Sequence, residues 1–387
     1  MSTTAADCLV IGGGIMGCSL AYWLAGEGRG VVLIERGELN GGASGSNAGS
    51  LHVQMLSHFA SLQAPHERVD AERPLRLHVG AVAEWQALQA ALDEDFELSI
   101  GGGLMVAETE VEQRQLETKI EREARHGVAS ELLEANAARA WAPYLGPTVR
   151  VAARCALEGR LNPGLATPAI ARAAESRGAD LRHATRLLAL ERSGATFIAR
   201  TDTGEIRAGI VINAAGPWAG EVAAMLGVAL PVTRRPLQMS VSEVTAPFLP
   251  HLVQHVGRRL TMKQATSGNV LIGGGWPGSL DAAGEARLER RSIEGNLAVA
   301  CRVVPQVASL HLLRVWTALI TRVPDGNPVL GEMPDVPGFF QALAIPNGYT
   351  LGPLCARLVA EAVCGRNTSF DLSPWSPARF AGTSHFH

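Results

Sequence analysis

Basic charge, paired cysteines and long apolar runs are scarce in this chain of 387 residues, and each scarcity excludes a class of protein. The formal net charge is −3 and the isoelectric point lies near 6.4, so the chain lacks the basic surface that nucleic-acid-binding domains present. Its six cysteines form no Cys-x-x-Cys pair, which excludes the usual zinc and iron–sulfur ligand spacings. We therefore expect no metal site and mostly reduced, buried cysteines.

The first apolar stretch, residues 8–25, has the features of neither a signal peptide nor a membrane span. No Lys or Arg precedes it, and it is followed by no small-residue cleavage site. Four glycines interrupt it, whereas a spanning helix needs about 20 consecutive, predominantly apolar residues. We expect no transmembrane segment and a cytoplasmic location.

Residues 7–36 show instead the order of elements in a dinucleotide-binding unit: an apolar strand, a glycine-rich turn, an apolar helix and a second buried strand ending at Glu35. Gly12, Gly14 and Gly17 form G-x-G-x-x-G, which permits a tight turn, close approach of the backbone to a pyrophosphate and close helix–strand packing. The helix points its free N–H groups at the phosphates. Glu35 lies 18 residues beyond Gly17, a spacing that places a carboxylate on a ribose hydroxyl.

Three later stretches carry local expectations. Residues 37–53 are rich in Gly, Ser and Asn, which predicts a loop; its position after the second strand favours a ligand-facing loop, while a solvated linker has the same composition. Residues 109–127 predict a charged helix whose simplest interpretation is a solvated face. Residues 181–190 predict a single strand.

Further α/β units near residues 165–216 and 339–363 are separated by segments with antiparallel patterns. The simplest architecture is one dinucleotide-binding domain assembled from three pieces, with a second domain of mixed sheet inserted twice. We predict the first domain at residues 1–85, 150–225 and 325–387, and the second at residues 86–149 and 226–324.

Over nearly its full length the chain resembles the FAD-dependent amine and D-amino-acid oxidoreductases, the group of glycine oxidase, sarcosine oxidase and D-amino-acid oxidase. The segments that carry the resemblance are the N-terminal unit, Gly42–Asn47, Asn213–Trp218, Trp316–Gly331 and Gly348–Pro353. Residues 45–54 and 271–276 are most similar to the flavin subunits of bacterial opine oxidases and dye-linked D-hydroxyproline dehydrogenases. The resemblance implies an α/β fold with a Rossmann-like, GR2-type FAD-binding domain and an α+β substrate domain with a mixed, largely antiparallel sheet.

FAD, which the resemblance implies, also has support from the residues themselves. A second strand followed by a small-residue turn occurs at residues 213–216, and FAD is long enough to need holding at both ends. A nicotinamide-dependent dehydrogenase, a competing hypothesis, has no need of this second turn. Residues 316–331 contain no cysteine, whereas some sarcosine oxidases attach their flavin in this region, so we expect non-covalent FAD.

The resemblance also assigns expected positions along the cofactor. Glu35 would take the adenosine ribose and Leu187 would lie beside the adenine, while the helix that begins at Gly348 would face the flavin N1–C2=O edge, where its dipole favours negative charge. The implied cofactor-binding residues are Gly12, Gly14, Ile15, Met16, Gly17, Glu35, Arg36, Ser44, Ser46, Asn47, Leu187, Ala214, Gly216, Gly348, Tyr349, Thr350 and Leu351.

The implied reaction is oxidation of a C–N bond in a small amine or amino acid, such as a D-amino acid, a glycine- or sarcosine-like compound, D-hydroxyproline or an opine. A hydride leaves the α-carbon for flavin N5 and the imine hydrolyses. Such a site needs a cation or donor for the substrate carboxylate. Glycine-oxidase-like members carry Leu-Arg-Pro where this chain has Leu319-Ile320-Thr321, and Ile320 cannot bind a carboxylate.

Four residues are candidates for the substrate side of the site. Arg322 lies two positions beyond Ile320, on the same face of a strand, and either replaces the missing arginine or is a surface residue. His52 either binds the carboxylate or packs. Lys263 either lies near the flavin, as in relatives that use oxygen, or is a solvated strand lysine. Tyr349 either covers the substrate or packs under the helix.

A non-catalytic FAD-binding subunit of a heteromeric dehydrogenase is the alternative function, because the arginine expected at Ile320 is missing. The opine- and hydroxyproline-type relatives work with separate iron–sulfur subunits. Since this chain has no cluster ligands, electrons must leave directly from the flavin or through such a partner.

Overall fold

The computed structural model describes residues 3–56 and 70–381. Numbered in chain order, its strands are β1 Thr3–Ile11, β2 Val31–Ile34, β3 Ser50–Leu51, β4 Gly103–Ala107, β5 Glu131–Glu134, β6 Val151–Cys155, β7 Gly159–Arg160, β8 Asp180–Arg182, β9 Leu187–Ser193, β10 Thr196–Thr201, β11 Glu205–Asn213, β12 Thr233–Val244, β13 Leu252–His255, β14 Thr261–Gln264, β15 Asn269–Gly273, β16 Ser279–Leu280, β17 Ala286–Arg287, β18 Leu312–Arg322, β19 Val329–Glu332 and β20 Phe339–Leu343.

The α-helices described in the same ranges are α1 Ile15–Gly26, α2 Ala43–Ser46, α3 Leu75–Leu92, α4 Glu110–Ala124, α5 Ala135–Trp141, α6 Pro163–Ser176, α7 Ala219–Ala224, α8 Arg290–Val303 and α9 Gly348–Val363. Short 3₁₀ turns lie after β11, after α8 and in the C-terminal part of the chain, at Gly216–Trp218, Pro305–Ser309, Ser373–Trp375 and Pro377–Phe380. Across the described residues, no helix is both long and apolar enough to cross a membrane.

The first sheet is a Rossmann-like sheet in the order β19-β20-β11-β1-β2-β8, with β1 parallel to both β2 and β11. The strand expected at residues 181–190 is instead two strands: β8 pairs with β2, and β9 pairs with β10 on the other side of the sheet. The chain turns between them because the backbone N–H of Thr185 bonds to the carbonyl of Glu35. The predicted single strand is therefore wrong.

Helix α1 forms the centre of the first domain. Ten of its twelve residues are buried, which explains a sequence that is apolar on all sides rather than on one stripe. Helices α6 and α9 pack against it over the same face of the sheet. Helix α3 packs on α9, and Trp85 of α3 is fully buried there.

The second sheet has the order β18-β12-β15-β14-β13-β4-β6-β5 and is antiparallel throughout except between β13 and β4. This confirms the mixed, largely antiparallel sheet expected for the second domain. Strand β6 belongs to this sheet although the predicted boundary assigned residues 150–225 to the first domain, and α3 runs across the predicted boundary at residue 85. The domain limits otherwise stay a prediction.

Helix α4 corrects the expectation of a solvated charged helix. Thr109 and Glu112 form a capping box that fixes its start. Leu116, Lys119 and Glu123 are nevertheless at most 3% exposed, because their spacing of three and four residues places them on one helical face. That face packs on the second sheet, so charged composition alone does not indicate solvent exposure here.

Another buried carboxylate, Glu108, joins three elements of the second domain. It follows β4, and it accepts hydrogen bonds from His255 at the end of β13, from Arg258 beyond it and from Arg302 in α8. Burial by itself would raise the pKa of Glu108, but the hydrogen bonds from His255 and Arg302, together with the charge of Arg258, lower it to about 2.

We predict that Glu108→Gln lowers the free energy of unfolding at pH 7 by about 1–3 kcal/mol, because three donors lose a charged acceptor. The carboxyl has a lower pKa in the folded state than its ordinary 4.5, so its stabilising effect is complete above pH 4.5 and is lost as the pH falls towards 2. The difference between wild type and variant should therefore shrink below pH 4.5 in denaturant unfolding. Glu131→Gln, at a mostly exposed carboxylate, is the control; an equal loss in both variants would contradict the prediction.

Candidate functional site

A cleft of about 780 Å³ opens where the parallel strands of the first sheet end. Ligands of open α/β sheets bind at the carboxyl ends of their strands. One wall contains the turns after β1, β2 and β11 and the start of α9. The opposite wall belongs to the second sheet and contains Leu237, Met239, Thr261, Ala318, Ile320 and Thr321.

Two backbone turns meet at the centre of the first wall. Gly12 has φ +113°, and a Cβ on it would lie 2.5 Å from the carbonyl oxygen of Ala214. Only glycine permits this approach of the turn after β1 to the turn after β11. A Cβ on Gly17 would lie 1.8 Å from the carbonyl oxygen of Gly12, so Gly17 packs α1 against the first turn and does not itself line the cleft.

One end of the cleft has the chemistry expected for an adenosine. Glu35 follows β2, and its carboxylate accepts hydrogen bonds from the backbone N–H groups of Gly13 (2.8 Å) and Gly37 (2.9 Å), which fix its orientation. The guanidinium carbon of Arg36 lies 3.7 Å from the ring centroid of Trp218, and both residues line the cleft with Leu187. The sequence did not single out Trp218 as a site residue.

The loop after β2 forms part of the wall, as a ligand-facing loop would. Ser44 Oγ accepts a hydrogen bond of 2.9 Å from the backbone N–H of Ile15, in the first turn of α1. Asn47 uses its own amide within the loop, donating to the carbonyl of Ser44. The indole N–H of Trp316 in β18 donates to the carbonyl of Ser46 at 2.8 Å. This contact ties the loop to the second domain, and the solvated-linker interpretation is wrong.

Helix α9 begins at the other end of the cleft. Its first residues Gly348 and Thr350 line the cleft, and within α9 itself neither a side-chain cap nor an acidic residue occupies the first turn. The first N–H groups of a helix have no partner within it. Leu351, in contrast, is fully buried in the core. Its side chain does not border the cleft, where a contact with the cofactor was expected.

Tyr349, at the start of α9, borders the cleft. Its hydroxyl lies 3.0 Å from Thr167 Oγ1 and its ring stacks on Trp85 at a centroid distance of 5.3 Å. The ring therefore packs beneath α9, one of its two expected roles, while a role in covering the substrate stays a prediction.

Lys263 is buried, and the expectation of a solvated strand lysine is wrong. Its side chain is about 3% exposed and its Nζ donates to the carbonyl of Leu161 at 3.2 Å. It shares a face of β14 with Thr261, which lines the cleft. Burial, with a smaller effect of the charge on Arg160, lowers the pKa of Lys263 to about 7.

A cavity of about 20 Å³, the side chamber, adjoins the cleft and shares Leu56, Pro346 and Asn347 with it. Arg322 lines this chamber and is only 5% exposed, so the surface-arginine interpretation is wrong. His78 lines it too; burial lowers the pKa of His78 to about 4. Its neutral ring accepts at Nε2 from the amide of Asn347, 3.1 Å away.

His52 lies on the wall that faces the start of α9. Its side chain borders the cleft, and its backbone N–H donates to Thr350 Oγ1 at 3.2 Å. The structure thus brings His52, Ile320 and Thr321 to one cleft and places Arg322 in the adjoining chamber. The roles of these residues stay predictions.

The donors and acceptors of the cleft fit FAD. Two helix N-termini, those of α1 and α9, open onto it, and each favours a negatively charged group. Gly12 has no side chain, so a cofactor can come close to the backbone of the turn after β1. The carboxylate oxygens of Glu35 can accept hydrogen bonds at the end of the cleft expected to hold the adenosine. The fold and the site therefore define a dinucleotide-binding protein in which a second, largely antiparallel sheet faces the cleft.

Comparison with known proteins narrows this class. Residues 7–362 match the family model described as FAD dependent oxidoreductase (DAO), and the chain belongs to this family, so its cofactor is FAD. It is 28% identical to the glycine oxidase of Geobacillus kaustophilus and 27% identical to an opine oxidase subunit of Rhizobium meliloti, each over 97% of both chains. The crystal structure of the Geobacillus glycine oxidase matches with a TM-score of 0.87 at 26% identity, covering 99% of this chain and 100% of that one.

We predict that Gly12→Ala lowers FAD affinity by at least about tenfold, since a non-glycine residue in a strained conformation costs ~1–3 kcal/mol and here must also displace the turn against the cofactor. Flavin fluorescence during reconstitution of the apoprotein measures the affinity. Gly28→Ala is the matched control, because Gly28 also has a positive φ but no atom lies within 4 Å of its added Cβ. Equal losses of affinity in the two variants would show that backbone strain alone is responsible.

We predict that Lys263→Met removes a pH dependence of stability. Folding lowers the pKa of Lys263 from 10.5 to about 7. Between these values the unfolded chain binds a proton that the folded chain does not, so the free energy of unfolding rises with pH by up to ~1.4 kcal/mol per unit. The variant should be more stable than wild type near pH 7, with the gap closing towards pH 10, in thermal unfolding of the holoprotein. Arg314→Met, at an exposed residue, should show no such change; a constant gap for Lys263→Met would contradict the prediction.

Proposed function

We propose that this chain oxidises the C–N bond of a small amine or amino acid that carries a carboxylate. The observation that carries the proposal is the side chamber with its buried arginine, which opens beside the cofactor cleft of an FAD-dependent oxidoreductase. The names of the relatives support the same chemistry, since glycine oxidases and opine oxidase subunits recur among them. The chamber holds about one water-sized group, so the carboxylate would bind at its mouth, against Arg322, with the amine end of the substrate in the cleft.

Different residues of the chain position different parts of the substrate. When bound, FAD supplies a hydride acceptor at the flavin ring. Arg322 binds the carboxylate by charge-assisted hydrogen bonds, and Ile320 presents an apolar surface that excludes water beside the reacting carbon. The free N–H groups at the start of α9 favour the negative charge that develops at their end of the cleft. The amine loses a hydride from carbon and a proton from nitrogen, and water then converts the imine into a carbonyl compound and an amine.

The position of the arginine favours a particular shape of substrate. Ile320 and Arg322 lie on one face of β18, and two residues span about 6.6 Å along a strand. A substrate held by Arg322 therefore reaches farther along the strand than one held at position 320. Amines with a substituent or a longer chain between nitrogen and carboxylate, such as N-carboxyalkyl amino acids, suit this spacing better than glycine.

The electron acceptor is either oxygen or a partner protein. Several relatives are themselves components of larger enzymes by name, including the opine oxidase subunit and a sarcosine oxidase beta subunit from Arthrobacter. We propose that electrons pass from the flavin directly to oxygen or to an electron-transfer partner with its own iron–sulfur centre. A non-catalytic FAD-binding role is disfavoured, because the similar proteins include glycine oxidases and opine oxidase subunits.

An anaerobic titration tests the function. We expect the visible flavin band of the purified protein to bleach with at least one compound from a panel of glycine, sarcosine, D-amino acids, D-hydroxyproline and opines. Fast recolouring in air would identify an oxidase, and slow recolouring rescued by an artificial dye would identify a dehydrogenase that lacks its partner. Bleaching by no compound would favour the non-catalytic role instead.

The same titration tests Arg322. Arg322→Met should raise the KM of the active compound by about 100-fold, as expected for loss of a charge-assisted pair at roughly 2–3 kcal/mol, while FAD content stays the same. Arg314→Met, on the same strand but exposed, should leave KM unchanged. An unaltered KM in the Arg322 variant would remove the arginine from the substrate site.

A further inference from the structure

A cluster of buried polar side chains lies beneath the cleft wall, and the proposed reaction uses none of them directly. Glu158, Gln54, Gln254, Lys119 and Glu123 come from four separate parts of the chain, and each is at most 3% exposed. Burying charge is costly unless every group is paired. The hydrogen bonds of this cluster therefore have to account for its presence.

Glu158 accepts a dense set of hydrogen bonds. Its carboxylate takes the backbone N–H groups of Val53 and Gln54 (both 3.1 Å), the amide of Gln54 (2.9 Å) and the amide of Gln254 (2.9 Å). Burial raises the pKa of Glu158, and the hydrogen bonds from Gln54 and Val53 together with the charge of Lys119 oppose this rise.

The side chain of Gln54 connects Glu158 to a buried ion pair. Its amide N–H₂ faces Glu158, while its carbonyl oxygen accepts from Lys119 Nζ at 3.1 Å. Lys119 pairs with Glu123 at 2.6 Å, and Glu123 accepts the backbone N–H of Met55. The orientation of the Gln54 amide is thus fixed by an anion on one side and a cation on the other.

The segment held in this way is the cleft wall itself. Residues 52–56 follow β3 without strand pairing of their own, so the backbone N–H groups of Val53, Gln54 and Met55 find their acceptors on the carboxylates. His52 and Leu56 line the cleft, and Gln54, Met55 and Leu56 line the side chamber. His52 is tied in turn to Thr350 at the start of α9.

We propose that Glu158, acting through Gln54 and the backbone of residues 53–55, is a positioning residue for substrate binding. Its carboxylate supplies the hydrogen-bond acceptors that a neighbouring strand would otherwise give this segment. In this way it sets the distance between the side chamber and the start of α9. The inference rests on the proposed function, since it assigns the wall to an amine substrate held by Arg322. A purely structural role would affect stability but leave substrate binding and the flavin spectrum unchanged.

The polarity of the cluster provides a specific test. Glu158→Gln keeps one oxygen that accepts from the backbone N–H groups, but its new amide N–H₂ faces the amide N–H₂ of Gln54. The Gln54 amide cannot turn over to relieve this clash, because its N–H₂ would then face the ammonium of Lys119. Gln54→Glu places the new carboxylate at position 54 against the carboxylate of Glu158. The double variant Gln54→Glu/Glu158→Gln moves the carboxylate to position 54, where it accepts from both the new amide and Lys119. The pattern of donors and acceptors between positions 54 and 158 is thereby restored, and Gln254 keeps the remaining oxygen of residue 158 as its acceptor.

Three measurements on the holoprotein decide the matter: hydrogen exchange of the amides of residues 53–55, the KM of the reducing amine, and the dissociation constant of acetate from its perturbation of the flavin spectrum. For each single variant we expect exchange and both binding constants to rise about tenfold, the equivalent of one hydrogen bond. The double variant should return to within about threefold of wild type. Glu108→Gln, at a buried carboxylate of the second domain outside the cluster, should change none of the three.

Unchanged exchange in Glu158→Gln would overturn the proposal, as would faster exchange with unchanged KM and acetate affinity. A double variant no better than the single ones would also overturn it, because the complementary pattern would then be irrelevant. If no amine reduces the wild-type flavin, the proposed function fails, while exchange and acetate binding still decide whether Glu158 positions the wall.

Discussion

The parallel pairing of β1 with β11 is the constraint on which the site depends. Its register sets Ile11 opposite Asn213, residues that are about 200 positions apart in the sequence. The two strands end side by side, so the turns that follow them meet, and Gly12 lies against the carbonyl of Ala214. Any shift of this register would separate the turn after β1 from the turn after β11 and would break the contact between Gly12 and Ala214. The cleft forms because this pairing brings distant segments of the first sheet to one edge, opposite the second sheet.

Local patterns predicted the parts of the site that depend on neighbouring residues. The glycine turn at Gly12 and the carboxylate at Glu35 follow from spacing within one βαβ unit, and both residues line the cleft. Burial of charged side chains could not be predicted in this way. Lys263 lies on a strand between polar residues at positions 261 and 264, and Lys119 lies on a helix rich in charges. Their burial is decided by elements far away in the sequence, which supply Leu161 and Gln54 as hydrogen-bond partners.

The two lysines are the only ones in the chain, and both are buried. Arginine supplies the rest of the basic charge and therefore nearly all the exposed cations. A guanidinium stays charged in almost any environment, whereas a buried ammonium is a compact charge whose pKa responds to its surroundings. Lys119 has Glu123 at 2.6 Å, while Lys263 donates to a backbone carbonyl and has a pKa near 7. The same side chain thus serves as the partner of a buried carboxylate in one place and as a neutralisable donor in the other.

Two buried glutamates, Glu108 and Glu158, show how the environment selects a role. Glu108 is surrounded by cationic partners that hold its pKa near 2, which makes it a structural anchor for the second domain. Glu158 is surrounded by amides and backbone N–H groups, and its pKa is raised. Amide partners have a direction that point charges lack, because exchanging donor for acceptor reverses the interaction. A carboxylate held by amides therefore fixes the path of the chain beside it, and here that chain is the wall shared by the cleft and the side chamber.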